Sequence, residues 1–127
     1  MELYRPANGE TGIRHILKRA VAEKAGDVHI EPETDYVRVR FRIDGRLKEI
    51  FRLPKETAQS LSVRIKVLGG MNVGETRIPQ DGSFSRTDGG ETRDFRISVM
   101  PTVKGETIVI RILSGTVDFI EKNDLGM

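Results

Sequence analysis

The chain contains no cysteine and no tryptophan among its 127 residues. Without cysteine, a disulfide scaffold, a thiolate zinc site and a cysteine nucleophile are all excluded, and a reducing compartment is compatible. Aromatic residues are scarce, with five Phe and two Tyr, which weakens any nucleic-acid reading that depends on stacking single-stranded bases. No apolar run approaches the roughly 20 residues that span a bilayer, and Met1 to Thr11 are too polar for a secretory signal. The expectation is a soluble, cytoplasmic domain without membrane insertion. A large charge of one sign is also missing. The formal net charge is +2 with 31% charged residues, so attraction for anions must arise from local arrangement and not from a global field.

The usual catalytic constellations are missing too. No Gly-x-x-x-x-Gly-Lys-Ser/Thr run exists, so the chain has no loop of the usual kind to cradle a triphosphate. Only His15 and His29 are present, without a His-Glu-x-x-His motif, and catalytic zinc is not expected. His29 alternates with Val28 and Ile30, and a hydrogen-bonded place at a sheet edge is its expected role. No serine elbow or pair of acids at catalytic spacing stands out. An enzyme confined to these residues is not expected.

What is present is regular patterning. Ile13, Ile16, Leu17, Ala20 and Val21 recur at helical spacing between Thr11 and Ala25, with Gly26 as the expected C-cap. Val28-His29-Ile30 reads as a short strand. From Tyr36 to Ile43, Val37, Val39, Phe41 and Ile43 alternate with Arg38, Arg40 and Arg42, giving one core face and one cationic face. Asp44-Gly45 is a two-residue hairpin turn of the type that needs positive φ at both positions, so Arg46 to Leu53 returns antiparallel. A second helix is expected from about Lys55 to Leu68, stopped by Gly69-Gly70. Met71 to Gly82 reads as an ordered loop leading to a strand at Ser83 to Arg86, then a turn at Asp88-Gly89-Gly90 and a strand from Arg93 to Met100. Pro101 and Gly105 frame a last turn. Thr107 to Leu113, nearly continuous in apolar residues, suits a central strand covered on both sides. The sum is an α+β domain with helices packed on a mostly antiparallel sheet of about six strands, similar in shape to PAS-like sensor modules.

Arginine is the residue type whose placement invites a function. Arg77 directly precedes a proline-containing turn, which aims a planar, permanently charged fork at low entropic cost. It either contacts an anion or pairs with Asp81 or Glu75. Arg38, Arg40 and Arg42 on one strand face could track a phosphate backbone, or be neutralised by cross-strand acids such as Glu49.

Six ordered blocks then carry a resemblance. They are Ala25-Gly-Asp-Val-His-Ile-Glu-Pro32, Arg40-Phe-Arg-Ile-Asp-Gly-Arg46, Arg64-Ile-Lys-Val-Leu-Gly-Gly-Met-Asn-Val73, Arg77-Ile-Pro-Gln-Asp-Gly82, Asp94-Phe-Arg-Ile-Ser98 and Gly105-Glu-Thr-Ile-Val-Ile-Arg-Ile-Leu113. Together they resemble the second N-terminal, PAS-like domain of the type II secretion and type IV pilus assembly ATPases, from Gly12 to about Met127. The resemblance implies a lead-in over 1–11, the domain over 12–114, and a linker over 115–127 towards a RecA-like motor domain; Asn123-Asp-Leu-Gly-Met127 looks like that linker.

The resemblance further implies a hexameric, cytoplasmic ATPase, peripheral at the inner membrane and partnered by its secretion or pilus platform proteins. ATP and magnesium would be bound mainly by the motor domain of the same or a neighbouring subunit. This domain would close over the nucleotide and supply arginines to its phosphates, in the manner of an arginine finger. Arg77 matches the arginine that opens the Pro-Gln-Asp-Gly loop, and Arg96 matches the family arginine in the following strand. Ser83 stands where many members place an arginine directly after the loop glycine, and Glu91 where an arginine often precedes the strand aspartate. Arg93, on the same strand face as Glu91, is the expected substitute, with Arg86 a further candidate. The two readings from other classes are a free-standing PAS-like ligand sensor and a nucleic-acid module.

Overall fold

The computed structural model describes residues 1–115. The elements are β1 (Glu2–Leu3), α1 (Gly9–Ala22), β2 (Asp27–Pro32), β3 (Tyr36–Ile43), β4 (Arg46–Pro54), α2 (Thr57–Leu68), β5 (Gln80–Asp88), β6 (Glu91–Thr102) and β7 (Gly105–Gly115). They form one seven-stranded sheet in the order β1-β4-β3-β2-β7-β6-β5. Every pairing is antiparallel except that of β1 with β4. This is the expected α+β, PAS-like arrangement with one strand more than the six anticipated. The extra strand is β1, two residues inside the expected lead-in, and its pairing of Glu2 with Phe51 extends the sheet beyond β4.

Side-chain alternation decides which face each strand buries. Val28 and Ile30 on β2, Val37, Val39 and Phe41 on β3, Phe95, Ile97 and Val99 on β6, and Ile108 and Ile110 on β7 are all buried. They pack into one core with Ile13, Ile16, Leu17 and Ala20 of α1 and Leu61 and Ile65 of α2. The alternate residues face away from the helices. β7 is therefore central in the sheet but not covered on both sides: Val109 is half-exposed and Arg111 exposed. Its nearly continuous apolar run concealed the alternation that the tertiary fold imposes. β2 is likewise internal, so His29 does not sit at a sheet edge. Burial lowers the His29 pKa, partly opposed by Glu31 and Asp27.

α1 departs at both ends from what periodicity alone suggests, for local reasons. Asn8 caps α1 by accepting the Thr11 N–H at 2.8 Å, which starts the helix at Gly9 and not Thr11. α1 stops before Gly26 is reached. Lys24 adopts φ 60, and the Ala25 N–H reaches back to the Ala20 carbonyl at 2.9 Å while the Lys24 N–H bonds the Val21 carbonyl. That is a Schellman ending with a lysine in the left-handed position. Gly26 already belongs to the sheet, donating to the Arg42 carbonyl and accepting from the Ile112 N–H. α2 ends as expected at Gly69-Gly70, with Gly70 at φ 71.

Asp44 and Gly45 take φ values of 53 and 77, the two positive angles that their hairpin turn requires. Later boundaries also differ from expectation: β5 runs on to Asp88 and β6 begins at Glu91, not Arg93. β5 begins at Gln80, not Ser83, and Pro101 lies within β6 opposite Glu106, so the final turn contracts to the residues between Thr102 and Gly105. The linker expected over 115–127 falls outside the described residues, apart from Gly115, which pairs with Arg93.

Candidate anion-binding site

The four arginines singled out in the sequence occupy three different places. Arg77 lies in the loop between α2 and β5, and its side chain is 87% exposed. The loop itself is tightly fastened. Gln80 accepts the Asn72 N–H at 2.9 Å and donates to the Asn72 and Glu75 carbonyls at 2.9 and 3.2 Å. From the core side, Lys66 Nζ donates to the Glu75 carbonyl at 2.8 Å. Glu75 then turns its carboxylate onto Arg77, accepting the backbone N–H at 2.7 Å and Nε at 3.4 Å. Those contacts, the backbone N–H foremost, lower the Glu75 pKa. Of the two acids weighed as partners for Arg77, Glu75 is the one engaged; Asp81 accepts from the Ser98 hydroxyl instead.

Arg86 and Arg93 are cross-strand partners on the helix-covered side of the β5–β6 hairpin. Six residues of strand separate Gln80 from Arg86, roughly 20 Å, so Arg77 and Arg86 stand at opposite ends of β5. Arg86 Nη2 is 3.1 Å from Glu10, the carboxylate that also holds Arg64 at 2.7 Å and Arg14 at 3.0 Å. Burial would raise the Glu10 pKa, but the hydrogen bonds from Arg86, Arg64 and Arg14 outweigh it and hold the group at about 2. Arg93 pairs with Glu91 at 3.3 Å. Together with Arg14, Lys18, Leu17 and Phe95, the two arginines line a cleft of about 400 Å³ between α1 and the hairpin.

Arg96 sits on the other face of the sheet, which carries no helix. Among the described residues no acid pairs with it. Ser83 lies opposite on β5 and Arg111 opposite on β7. The arginine ladder of β3 shares this face but is neutralised. Arg38 and Arg40 both bond Glu31, at 3.2 and 2.7 Å, and Arg42 bonds Asp27 at 3.1 Å. The acids come from β2, while Glu49, the acid expected from the neighbouring strand, bonds Arg52 at 2.9 Å.

Three residues important to this geometry carried no site expectation. Gln80 and Lys66 shape the Arg77 loop, and Arg111 stands beside Arg96. Only the register of β6 against β7 could have revealed Arg111, because 15 residues of chain separate it from Arg96. Among the described residues, no group of three or more His, Asp or Glu is placed to hold a metal ion. No helix among them is long and apolar enough to cross a membrane.

An α+β domain whose helix-free face and edge loop display guanidinium groups, with no phosphate loop of its own, is the class that fold and site define. The chain belongs to the family described as Type II/IV secretion system protein, whose model matches residues 7–127. It is similar to the N-terminal domain of such ATPases. The type IV pilus assembly ATPase PilB of Thermus thermophilus is 40% identical over 114 residues, covering 90% of this chain and 13% of that protein. The type II secretion system protein E of Aeromonas hydrophila is 43% identical over 115 residues, covering 91% of this chain and 23% of that protein. The type IV pilus assembly ATPase TfpB of Acinetobacter baylyi is 45% identical over 98 residues, or 76% and 17% of the two chains. The chain thus spans less than a quarter of the length of these relatives. Among solved structures, the ATPase DotB of Legionella pneumophila matches 90% of this chain and 32% of its own with a TM-score of 0.60 at 16% identity, a likeness of fold.

Proposed function

We propose that this domain is the nucleotide-clamping and coupling unit of a hexameric secretion or type IV pilus assembly ATPase. It closes over ATP and magnesium held mainly by a RecA-like motor domain of its own or a neighbouring subunit. Arg77 and Arg96 are the phosphate contacts this reading assigns; the other two candidates, Arg86 and Arg93, lie on the helix-covered side of the β5–β6 hairpin and are engaged with Glu10 and Glu91. The observation that carries it is Arg96: a permanently charged fork, exposed on the sheet face without an acid partner among the described residues, in a chain whose relatives are named ATPases. A guanidinium brought in by domain closure neutralises phosphate charge only in the closed state, which couples nucleotide state to domain rotation. The donors present suit the phosphate end of the nucleotide; the carboxylates that magnesium prefers are already engaged with arginine at Glu10, Glu31 and Asp27. In this reading the whole protein works in the cytoplasm, peripherally at the inner membrane, against the secretion or pilus platform.

The test is ATP turnover by the full-length protein. Arg77→Ala and Arg96→Ala each lower it by roughly tenfold to a thousandfold, the range for losing a preorganised charge-assisted contact. Turnover like that of the parent in both variants refutes the clamp.

Two observations bear on the rival readings. The β3 arginines spend their charge on Glu31 and Asp27, which leaves little for a nucleic-acid backbone. The cleft beside α1, at about 400 Å³, lies within the size range of small-ligand pockets and favours a sensor as the second reading. A thermal-shift screen against small anions, with Phe95→Ala as control, discriminates the two.

A further inference from the structure

Residues 69–79 connect α2 to β5 without helix or strand, and the loop they make is held at its middle by one backbone oxygen, the Glu75 carbonyl. Two donors saturate it. Lys66 Nζ approaches from the core at 2.8 Å and Gln80 Nε2 from β5 at 3.2 Å, which uses both lone pairs. Beyond it, the Glu75 carboxylate accepts the Arg77 backbone N–H at 2.7 Å and Nε at 3.4 Å. Among the described residues only Nε of that fork has a partner, so both Nη groups stand free at the outer end of the side chain.

Stability alone does not call for a lysine at position 66. Its side chain is 1% exposed, and a buried ion pair is commonly no more stabilising than apolar side chains of the same volume. The hydrogen bonding shows where the ammonium is aimed. Nζ lies 2.8 Å from Glu106 Oε2, but that oxygen accepts no aligned hydrogen bond, and the directed bond goes to the Glu75 carbonyl. The Lys66 backbone carbonyl also accepts the Met71 N–H at 2.8 Å. One residue therefore fixes both the start and the middle of the loop, while Glu106 keeps its charge in the core.

We infer that Lys66, held by Glu106, is the positioning residue for Arg77, acting through the Glu75 carbonyl and carboxylate to preorganise the fork for its phosphate contact. The inference rests on the phosphate-contact reading of Arg77 above and names what aims it. A fork already fastened loses little freedom when it engages, whereas a loosened one must be ordered at every closure.

The test uses the full-length protein. Lys66→Met alone leaves Glu106 buried without a counter-charge, so the variant of choice also carries Glu106→Gln and removes the pair together. Glu75→Ala breaks the same relay further along, outside the core. Hydrogen exchange read by mass spectrometry reports on the loop, because the N–H groups of Asn72, Gly74 and Arg77 are bonded to side chains within it. The paired variant is expected to speed exchange over residues 70–79 about tenfold, a local opening, while α1 and β3 keep the parent rates. Loop exchange at the parent rate, or faster exchange throughout the domain, overturns the inference.

The second measurement is kcat/KM for ATP. It is expected to fall roughly tenfold in the paired variant and in Glu75→Ala, as for a displaced contact group, and neither change lowers it further in an Arg77→Ala background. A further loss in that background assigns Lys66 a merely structural role and overturns the inference. Parent-like turnover in the paired variant, with Arg77→Ala impaired, does the same; both results leave the clamp standing. Arg77→Ala at the parent level refutes the Arg77 contact itself, and the positioning role falls with it.

Discussion

Lys66 Nζ, on a side chain only 1% exposed, stands 2.8 Å from Glu106 Oε2 and 2.8 Å from the Glu75 carbonyl, so one buried cation ties α2, β7 and the Arg77 loop together. The approach to Glu106 is coulombic, because that oxygen accepts no aligned hydrogen bond. Removing one partner of such a pair leaves an uncompensated charge against the core, whereas removing both is far milder. Lys66→Met is therefore expected to cost about 3 kcal/mol in urea unfolding. Glu106→Gln in the same chain recovers a large part of the loss, which a double-mutant cycle measures.

The glycine of the Pro-Gln-Asp-Gly block has a packing reason. A Cβ on Gly82 would stand 2.5 Å from the Gly69 carbonyl oxygen, backbone that cannot yield without moving the end of α2. Gly82→Ala is expected to destabilise by about 1–3 kcal/mol, read as a lowered denaturation midpoint. A midpoint equal to the parent's contradicts the close approach.

Lys24 ends α1 in the left-handed region, at φ 60, where a side chain with a Cβ is strained by roughly 1 kcal/mol. Lys24→Gly removes that strain and is expected to raise stability by about 0.5–1 kcal/mol, despite the entropy glycine adds to the unfolded chain. Destabilisation in calorimetry refutes the argument.

Glu10 predicts an acid limb. Its folded pKa of about 2 is below its ordinary value of 4.5, so the folded state favours the carboxylate over the acid. Its contribution is fully present above the ordinary value and is lost as pH falls from about 4.5 towards 2. Glu10→Gln is expected to flatten stability against pH in that window and to leave Arg14, Arg64 and Arg86 mutually repelling at neutral pH. A parent-like acid limb in the variant removes Glu10 from the account.

How much of this was legible can be followed on particular residues. Asp44-Gly45 announced its turn because both positive φ angles are a local requirement. Val37, Val39 and Phe41 announced their face because a period of two is a local property of a strand. Which acids neutralise Arg38, Arg40 and Arg42 was not legible: Glu49 stands opposite Arg40 across the hairpin, but β2 flanks β3 on its other side and offers Glu31 and Asp27 in register. Arg77 could be ranked from its proline turn, yet its fastening by Gln80 and Lys66 depends on a loop folding back on a helix.

The amino-acid order by itself set the helix stripes, the strand alternation, the hairpin turns and the family, since each of these is written in neighbours along the chain. Only the three-dimensional arrangement decided which charges meet. It placed Arg86 with Glu10 across 76 residues, buried Lys66 beside Glu106, and set Arg96 against Arg111. The reason is that sheet order and register are fixed by burying one shared apolar face, and the polar residues on the opposite face acquire their partners as a consequence of that burial.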